Sequence, residues 1–146
     1  MPAPPMSDTT THGFRVGATA FYLEEESEPE AGEYYFGYRI VILNDGDTSA
    51  RLVSRHWDII DGSGQRKEVD GPGVVGETPY FTPGQAFKYT SFTQLSSPWG
   101  TMEGRYTMED DQGQRFEIDI DRFYLTPESS EVHQEDRPFT GTDPDA

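Results

Sequence analysis

Gly71-Pro72-Gly73-Val74-Val75-Gly76 has the spacing G-x-G-x-x-G, and how it is read decides the fold. Where that spacing follows a strand and opens a helix, the helix N-terminus holds a pyrophosphate and the chain is a parallel α/β dinucleotide binder. The surrounding residues contradict that context. Pro72 lacks a backbone N–H and removes one donor from the loop. Val74-Val75-Gly76-Glu77-Thr78-Pro79 continues with β-branched and helix-breaking residues. The loop therefore reads as a connection between strands.

Strand signals extend on both sides of it. Phe14 to Leu23 and Tyr34 to Leu43 are rich in aromatic and β-branched residues, and Phe36, Tyr38, Ile40 and Ile42 recur at a spacing of two, which marks one buried face. Between them Glu24 to Gly32 is an acidic loop. Asn44-Asp45-Gly46-Asp47 turns the chain into Arg51 to Ile60, and Asp61-Gly62-Ser63-Gly64 turns it again into Gln65 to Asp70. Beyond Thr82-Pro83-Gly84, Ala86 to Thr93 places Phe87, Tyr89 and Ser91 on one face. Met102 to Glu109 and Gln114 to Asp121 form a hairpin across Asp110-Asp111-Gln112-Gly113. In its second arm Phe116, Ile118 and Ile120 alternate with Glu117, Asp119 and Asp121, and Phe123-Tyr124-Leu125 ends the folded part. Seven to eight short strands and no strand–helix–strand unit predict an all-β immunoglobulin or fibronectin type III-like antiparallel sandwich.

The chain has 146 residues, enough for one domain with a real core. Residues 1–12 are rich in Pro, Ser and Thr and read as a disordered N-terminal tail. Residues 127–146 carry Glu128, Glu131, Glu135, Asp136, Asp143 and Asp145 against Arg137 and read as an acidic C-terminal tail, which leaves residues 13–126 as the domain. The absence of cysteine excludes disulfides, thiolate metal sites and cysteine nucleophiles. No apolar run approaches the ~20 residues of a membrane helix, and no basic and apolar leader precedes the domain, so a cytoplasmic protein without membrane insertion is expected. A net charge of −16 opposes binding to nucleic acid and to anionic membranes. Lys67 and Lys88 are the only lysines, a balance that suits either a high-salt habitat or an ordinary acidic surface.

Several stretches, taken in order, resemble the bacterial ApaG family, also described as CorD. They are Leu52-Val53-Ser54-Arg55-His56-Trp57-Asp58-Ile59-Ile60-Asp61, then Glu68-Val69-Asp70 running into the glycine loop, and Phe81-Thr82-Pro83-Gly84-Gln85-Ala86-Phe87-Lys88-Tyr89-Thr90-Ser91. Ser97-Pro98-Trp99-Gly100-Thr101-Met102-Glu103-Gly104-Arg105-Tyr106-Thr107-Met108, Gly113-Gln114-Arg115-Phe116 and Phe123-Tyr124-Leu125 complete the series. The resemblance spans about Arg15 to Leu125. It implies the same sandwich, a link to cobalt resistance and magnesium efflux, and the interaction-module role of related eukaryotic domains. It implies no catalytic activity and no cofactor. The two tails and the scarcity of lysine lie outside the motifs.

Arg55, His56, Gly71, Gly73 and Gly76 form the candidate anion site. In one reading the glycines serve the backbone, through positive φ, a tight turn or close approach of another segment, and Arg55 and His56 anchor the loop through its carbonyls. In the other, successive N–H groups form a nest for phosphate or pyrophosphate, with Arg55 as a bidentate partner. If Val53, Trp57 and Ile59 face the core, Arg55 shares their side, and Ser54, His56 and Asp58 share the other. Those last three are a triad only in name, because residues two apart lie ~6.6 Å apart along a strand, too far for a serine–base contact. No metal ligand set is assigned: His12 and His133 fall in the tails, leaving His56, and Glu24, Glu25, Glu26, Glu28, Glu30, Asp119 and Asp121 read as solvated charge. Tyr34, Tyr35, Tyr80, Phe81, Phe92 and Trp99 offer a possible interaction surface beyond their share of the core. The expected function is a non-enzymatic binding or regulatory module associated with Co2+/Mg2+ efflux and divalent-cation homeostasis, acting as monomer or homodimer through an unidentified protein partner. The alternative is a small-anion binder at the glycine loop.

Overall fold

The structure is a computed structural model that describes residues 6–129 and 144–146. Its strands are β1 (Met6–Thr11), β2 (Phe14–Tyr22), β3 (Tyr34–Asn44), β4 (Ala50–Asp61), β5 (Arg66–Pro72), β6 (Tyr80–Phe81), β7 (Ala86–Leu95), β8 (Gly100–Asp110) and β9 (Arg115–Leu125). One sheet has the order β1-β2-β3-β7 and the other β5-β4-β8-β9, with β6 paired to the start of β4. Every pairing is antiparallel. The fold is thus the expected immunoglobulin or fibronectin type III-like sandwich. Pro29–Ala31 and Pro127–Ser129 are single 3-10 turns, and no α-helix occurs among the described residues.

The period-two pattern of β3 is realised in full, with Phe36, Tyr38, Ile40 and Ile42 buried between the sheets. Opposite them lie Trp57 and Ile59 of β4, Met102, Tyr106 and Met108 of β8, and Ile118 and Ile120 of β9. Tyr38 and Trp57 pack edge to face at 5.3 Å, and Trp57 meets Phe123 at 6.0 Å. Two register shifts alter the alternation. One lies between Leu52 and Ser54 of β4, so that Leu52 is buried, Val53 is the extra residue, and the inward set resumes at Arg55, Trp57 and Ile59. Val53 is therefore only half-buried, not the core residue its spacing suggests. The other lies between Met102 and Gly104 of β8. It leaves Asp121 and Arg122 both exposed and lets β9 continue inward again at Phe123 and Leu125.

The expectation of a tail over residues 1–12 is corrected for residues 6–11. They form β1, joined to β2 by His12 and Gly13, whose φ values of 50° and 82° match a tight hairpin turn. A strand can form here without apolar bulk because its stabilisation is polar. Arg15 pairs with Asp8 at 2.6 Å, Ser7 Oγ donates to the Asp121 carbonyl, and the Asp119 N–H donates to Thr11 Oγ1. His12 rests edge-on against Phe116. Residues 1–5, and the acidic stretch 130–143 with His133, lie outside the described residues. The C-terminal reading is corrected at 144–146, where Asp145 is buried against the domain.

Asp61 shows how the turn into β5 is held. Its Oδ1 accepts from the Ser63 hydroxyl at 2.7 Å and from the backbone N–H groups of Ser63 and Gln65. The serine hydroxyl, followed by these N–H groups and against the opposing effect of burial, holds the carboxyl below its ordinary value. A lowered folded value means the contribution is complete above the unfolded pKa of ~3.9 and is lost as pH falls through the folded value. Asp61→Ala is expected to lower stability at neutral pH by about 1–3 kcal/mol, with a smaller loss near pH 3. Denaturant melts at the two pH values check this, and an equal loss at both would contradict it.

Candidate functional site

The glycine loop begins where β5 leaves β4. Arg55 is opposite Gly71 and Ser54 opposite Pro72, after which the Gly73 N–H donates to the Val53 carbonyl at 2.9 Å. The bulge that frees Val53 thus supplies the loop with an acceptor. Val74 and Glu77 then exchange two backbone hydrogen bonds of 2.8 Å each around Val75 and Gly76. The positive φ values of those two, 44° and 81°, are the signature of a two-residue type I′ hairpin turn. A β-branched residue with positive φ is an outlier. Val75 is held there by packing against the core beside the buried Val74. The loop is a strand-to-strand turn and opens no helix.

The two inner glycines have different causes. Gly73 has φ 56°, and a Cβ on it would stand 2.2 Å from the Glu77 carbonyl oxygen. A Cβ on Gly71 would meet the Arg55 guanidinium at 2.8 Å. Arg55 lies across Gly71 on the inward side of β4, as its parity with Trp57 and Ile59 predicts. Its Nη1 donates to the carbonyls of Pro72 at 2.9 Å and Gly73 at 3.0 Å, and its Nε donates to the Asp145 carbonyl at 3.0 Å.

Behind the guanidinium the sandwich interior is polar. The Tyr89 and Tyr106 hydroxyls share a 2.6 Å hydrogen bond, and burial pushes both phenols above their ordinary value. Burial, and next the negative charge of Asp145, do the same for Tyr38. Asp145 is in turn bound from three strands. Its N–H donates to the Phe92 carbonyl of β7 at 2.7 Å, its carbonyl takes Arg55 of β4, and its Oδ2 pairs with Lys67 Nζ of β5 at 3.1 Å. The Val75 N–H reaches the Ala146 carbonyl oxygen at 3.5 Å. Lys67 and Asp145 escaped the sequence reading because they meet only through the register of β5 and the return of residues 144–146. The signal available was that Lys67, one of only two lysines, shares its strand face with Val69 and Gly71, which lead into the glycine loop.

The candidate residues are therefore divided between two faces. Arg55, Gly71 and Gly73 come together, Gly76 sits at the turn, and His56 is on the opposite side of β4. There His56 Nδ1 lies 2.7 Å from Asp70, and Nε2 lies 3.3 Å from Asp58 and 3.8 Å from Glu68. His56 does not hold the glycine loop. Both ring nitrogens face carboxylates, and no hydrogen bond joins it to Ser54 among the described residues, so the strand carries no serine–histidine pair. The side chains of His56 and Asp58 come within 3.3 Å of each other although the two residues are two apart on one strand. His56, Asp58 and Glu68 bring one ligand atom each within 4.8 Å of one another, a grouping the sequence reading did not find. Arg66 already holds Asp58 Oδ1 at 2.8 Å, and that hydrogen bond, opposed by burial, lowers the Asp58 carboxyl from its ordinary value.

The aromatic residues form no single surface. Phe81 is buried. Tyr80 lies under the Arg51 guanidinium and donates to Asp111, whereas Trp99 covers Gly62 at the other end of β4. Tyr35 and Phe92 pair on the other sheet at 6.3 Å.

The ApaG domain model matches residues 24–110. Protein ApaG of Rhizobium etli is 49% identical over 115 residues, which cover 79% of this chain and 88% of that protein. Protein ApaG of Azoarcus sp. (strain BH72) is 49% identical over 120 residues, covering 82% of this chain and 94% of its own length. Among solved structures, the putative ApaA protein from Bordetella pertussis superposes with a TM-score of 0.74 at 40% identity, covering 86% of this chain and 97% of that one.

Proposed function

The chain belongs to the ApaG domain family, and from that premise we propose that it is a non-enzymatic binding module that acts through contact with another protein in divalent-cation homeostasis. One observation carries the reading: Arg55 Nε and Nη1 donate to main-chain carbonyls, one of them that of Asp145, ninety residues along the chain. A site that grips peptide backbone between two sheet edges is suited to a protein segment. The cation-homeostasis link rests on the family resemblance, and no helix among the described residues is long and apolar enough to cross a membrane. The test is affinity capture from native lysate with the full chain and with a folded Lys67→Glu variant. We expect a protein retained by the first and lost from the second. Equal retention, or no retained protein over a range of salt concentrations, would overturn the reading.

A second reading, small-anion binding at Arg55, Gly71, Gly73 and Gly76, draws support from the Asp145 carboxylate, which lies against Lys67 beside the loop. It is the lesser of the two because the N–H groups of Gly73, Val74 and Val75 are already engaged with Val53, Glu77 and Ala146. Millimolar pyrophosphate is expected to leave the Gly73 and Val74 amide resonances in place. Saturable shifts at both would reverse the ranking.

A further inference from the structure

The open side of the sandwich lies between β5, the edge of one sheet, and β7, the edge of the other. Four polar groups face into that gap from the interior. Tyr38, Trp57, Ser91 and Thr93 are fully buried; the Tyr38 and Ser91 hydroxyls face each other, and the Trp57 Nε1–H and the Thr93 hydroxyl have no hydrogen-bond partner among the described residues. They are neighbours by construction. Tyr38 is directly across from Ser91, Thr93 follows on the same inward face of β7, and the Trp57 ring packs on Tyr38. A buried donor without an acceptor is destabilising, so the Trp57 N–H and the Thr93 hydroxyl mark a polar bay at this edge of the core.

A carboxylate lies beside this bay. The Asp145 side chain is 6% exposed; Oδ2 pairs with Lys67, and Oδ1 is buried with no partner. Its charge reaches the Tyr38 phenol and raises it beyond the effect of burial. The backbone on either side forms a turn held by the Phe92 carbonyl, the Arg55 guanidinium and the Val75 N–H. Beyond Lys67 the same opening continues as a groove of about 580 Å3, lined by residues that include Ile59, Gln94 and Leu95. Two positive φ angles meet at this point, 44° at Val75 and 60° at Asp145, and backbone strain of this kind collects at binding sites.

We infer that the bay between β5, β7 and the glycine loop is a receptor for an acidic peptide segment whose Asp side chain inserts between the sheets, and that Pro144-Asp145-Ala146 occupies it in cis. A partner presenting an exposed Asp in a turn binds by displacing residues 144–146. Lys67 selects the negative charge and Arg55 the peptide backbone. The inference rests on the protein-binding reading above and names its ligand class.

The probe is a fluorescent hexapeptide, blocked at both ends, with the sequence Gly141-Thr142-Asp143-Pro144-Asp145-Ala146, titrated into three full-length chains. Wild type is expected to bind it at least tenfold more weakly than Asp145→Ala, in which the cis ligand is blunted. Asp145→Ala/Lys67→Met is expected to lose that gain, as is a peptide with Asn in place of its second Asp. In wild type, the Val75 amide and Arg55 Nε–H resonances report the resident segment and are expected to shift in Asp145→Ala. A melting curve for each chain confirms that it is folded. Equal affinity for wild type and Asp145→Ala, or for the Asp and Asn peptides, would overturn the inference. If that happens while Lys67→Glu still loses a captured protein, the binding-module reading stands and the acidic ligand class falls; if Lys67→Glu loses nothing, the failure lies with the module reading.

Discussion

Gly73→Ala is expected to lower the stability of the domain by about 3–4 kcal/mol. Two contributions sum to that figure. A non-glycine residue in the left-handed region costs about 1–2 kcal/mol, and the φ of Gly73 is 56°. The added methyl would also stand 2.2 Å from the Glu77 carbonyl oxygen, and that atom cannot move without disturbing the paired Val74–Glu77 bonds, at roughly 1 kcal/mol each. Gly71→Ala is the comparison. Its methyl would meet the Arg55 guanidinium at 2.8 Å and push it partly off its carbonyl partners, but no backbone atom has to move, so a smaller loss is expected. Chemical denaturation of both variants checks the order. A nucleotide-binding loop would give the reverse signature, with stability little changed and ligand affinity lost. If Gly73→Ala melts within ~0.5 kcal/mol of wild type, the ordinary range for a surface substitution, the backbone account of the loop is wrong.

What was legible in the sequence follows the reach of each signal. The inward row of β3 was legible because a strand repeats every two residues regardless of its neighbours. The refusal of a helix after Gly71 was legible because Pro72 and the paired valines act locally. The side of Arg55 was also legible, but through a mistaken anchor: Val53 is the bulge residue, and Leu52 carries the core. A bulge is a two-strand event, so nothing in β4 alone announces it. β1 was missed because its strand content is threonine, its inward face is half-buried Ser7, Thr9 and Thr11 with no apolar residue, and its turn of His12 and Gly13 lies where a tail was expected. His56 was placed with the glycine loop by proximity in sequence, although one residue along a strand reverses the face. The meeting of Lys67 with Asp145 spans 78 positions and depends on packing between two sheet edges, a relation that composition and periodicity do not encode.

Arg55→Met tests that relation at its centre, and its expected cost is about 2–4 kcal/mol. Methionine keeps much of the aliphatic stem over Gly71 but donates nothing, so the carbonyls of Pro72, Gly73 and Asp145 lose their shared partner. The estimate is held below the sum of three charged hydrogen bonds because the Pro72 carbonyl is near enough to solvent to be rehydrated. Arg55→Lys is expected to restore only a minor part. An ammonium carries the charge, yet it is a compact donor that cannot reproduce the fork by which Nη1 serves two loop carbonyls while Nε reaches the inserted segment. The same two variants separate the functional readings. Where the arginine serves to hold peptide backbone, lysine fails nearly as badly as methionine in both stability and hexapeptide binding. Where it serves as a bare positive charge for a small anion, lysine recovers most of the function. Denaturant midpoints and peptide titrations on the pair decide between them, and near-complete rescue by Arg55→Lys would return the site to the anion reading.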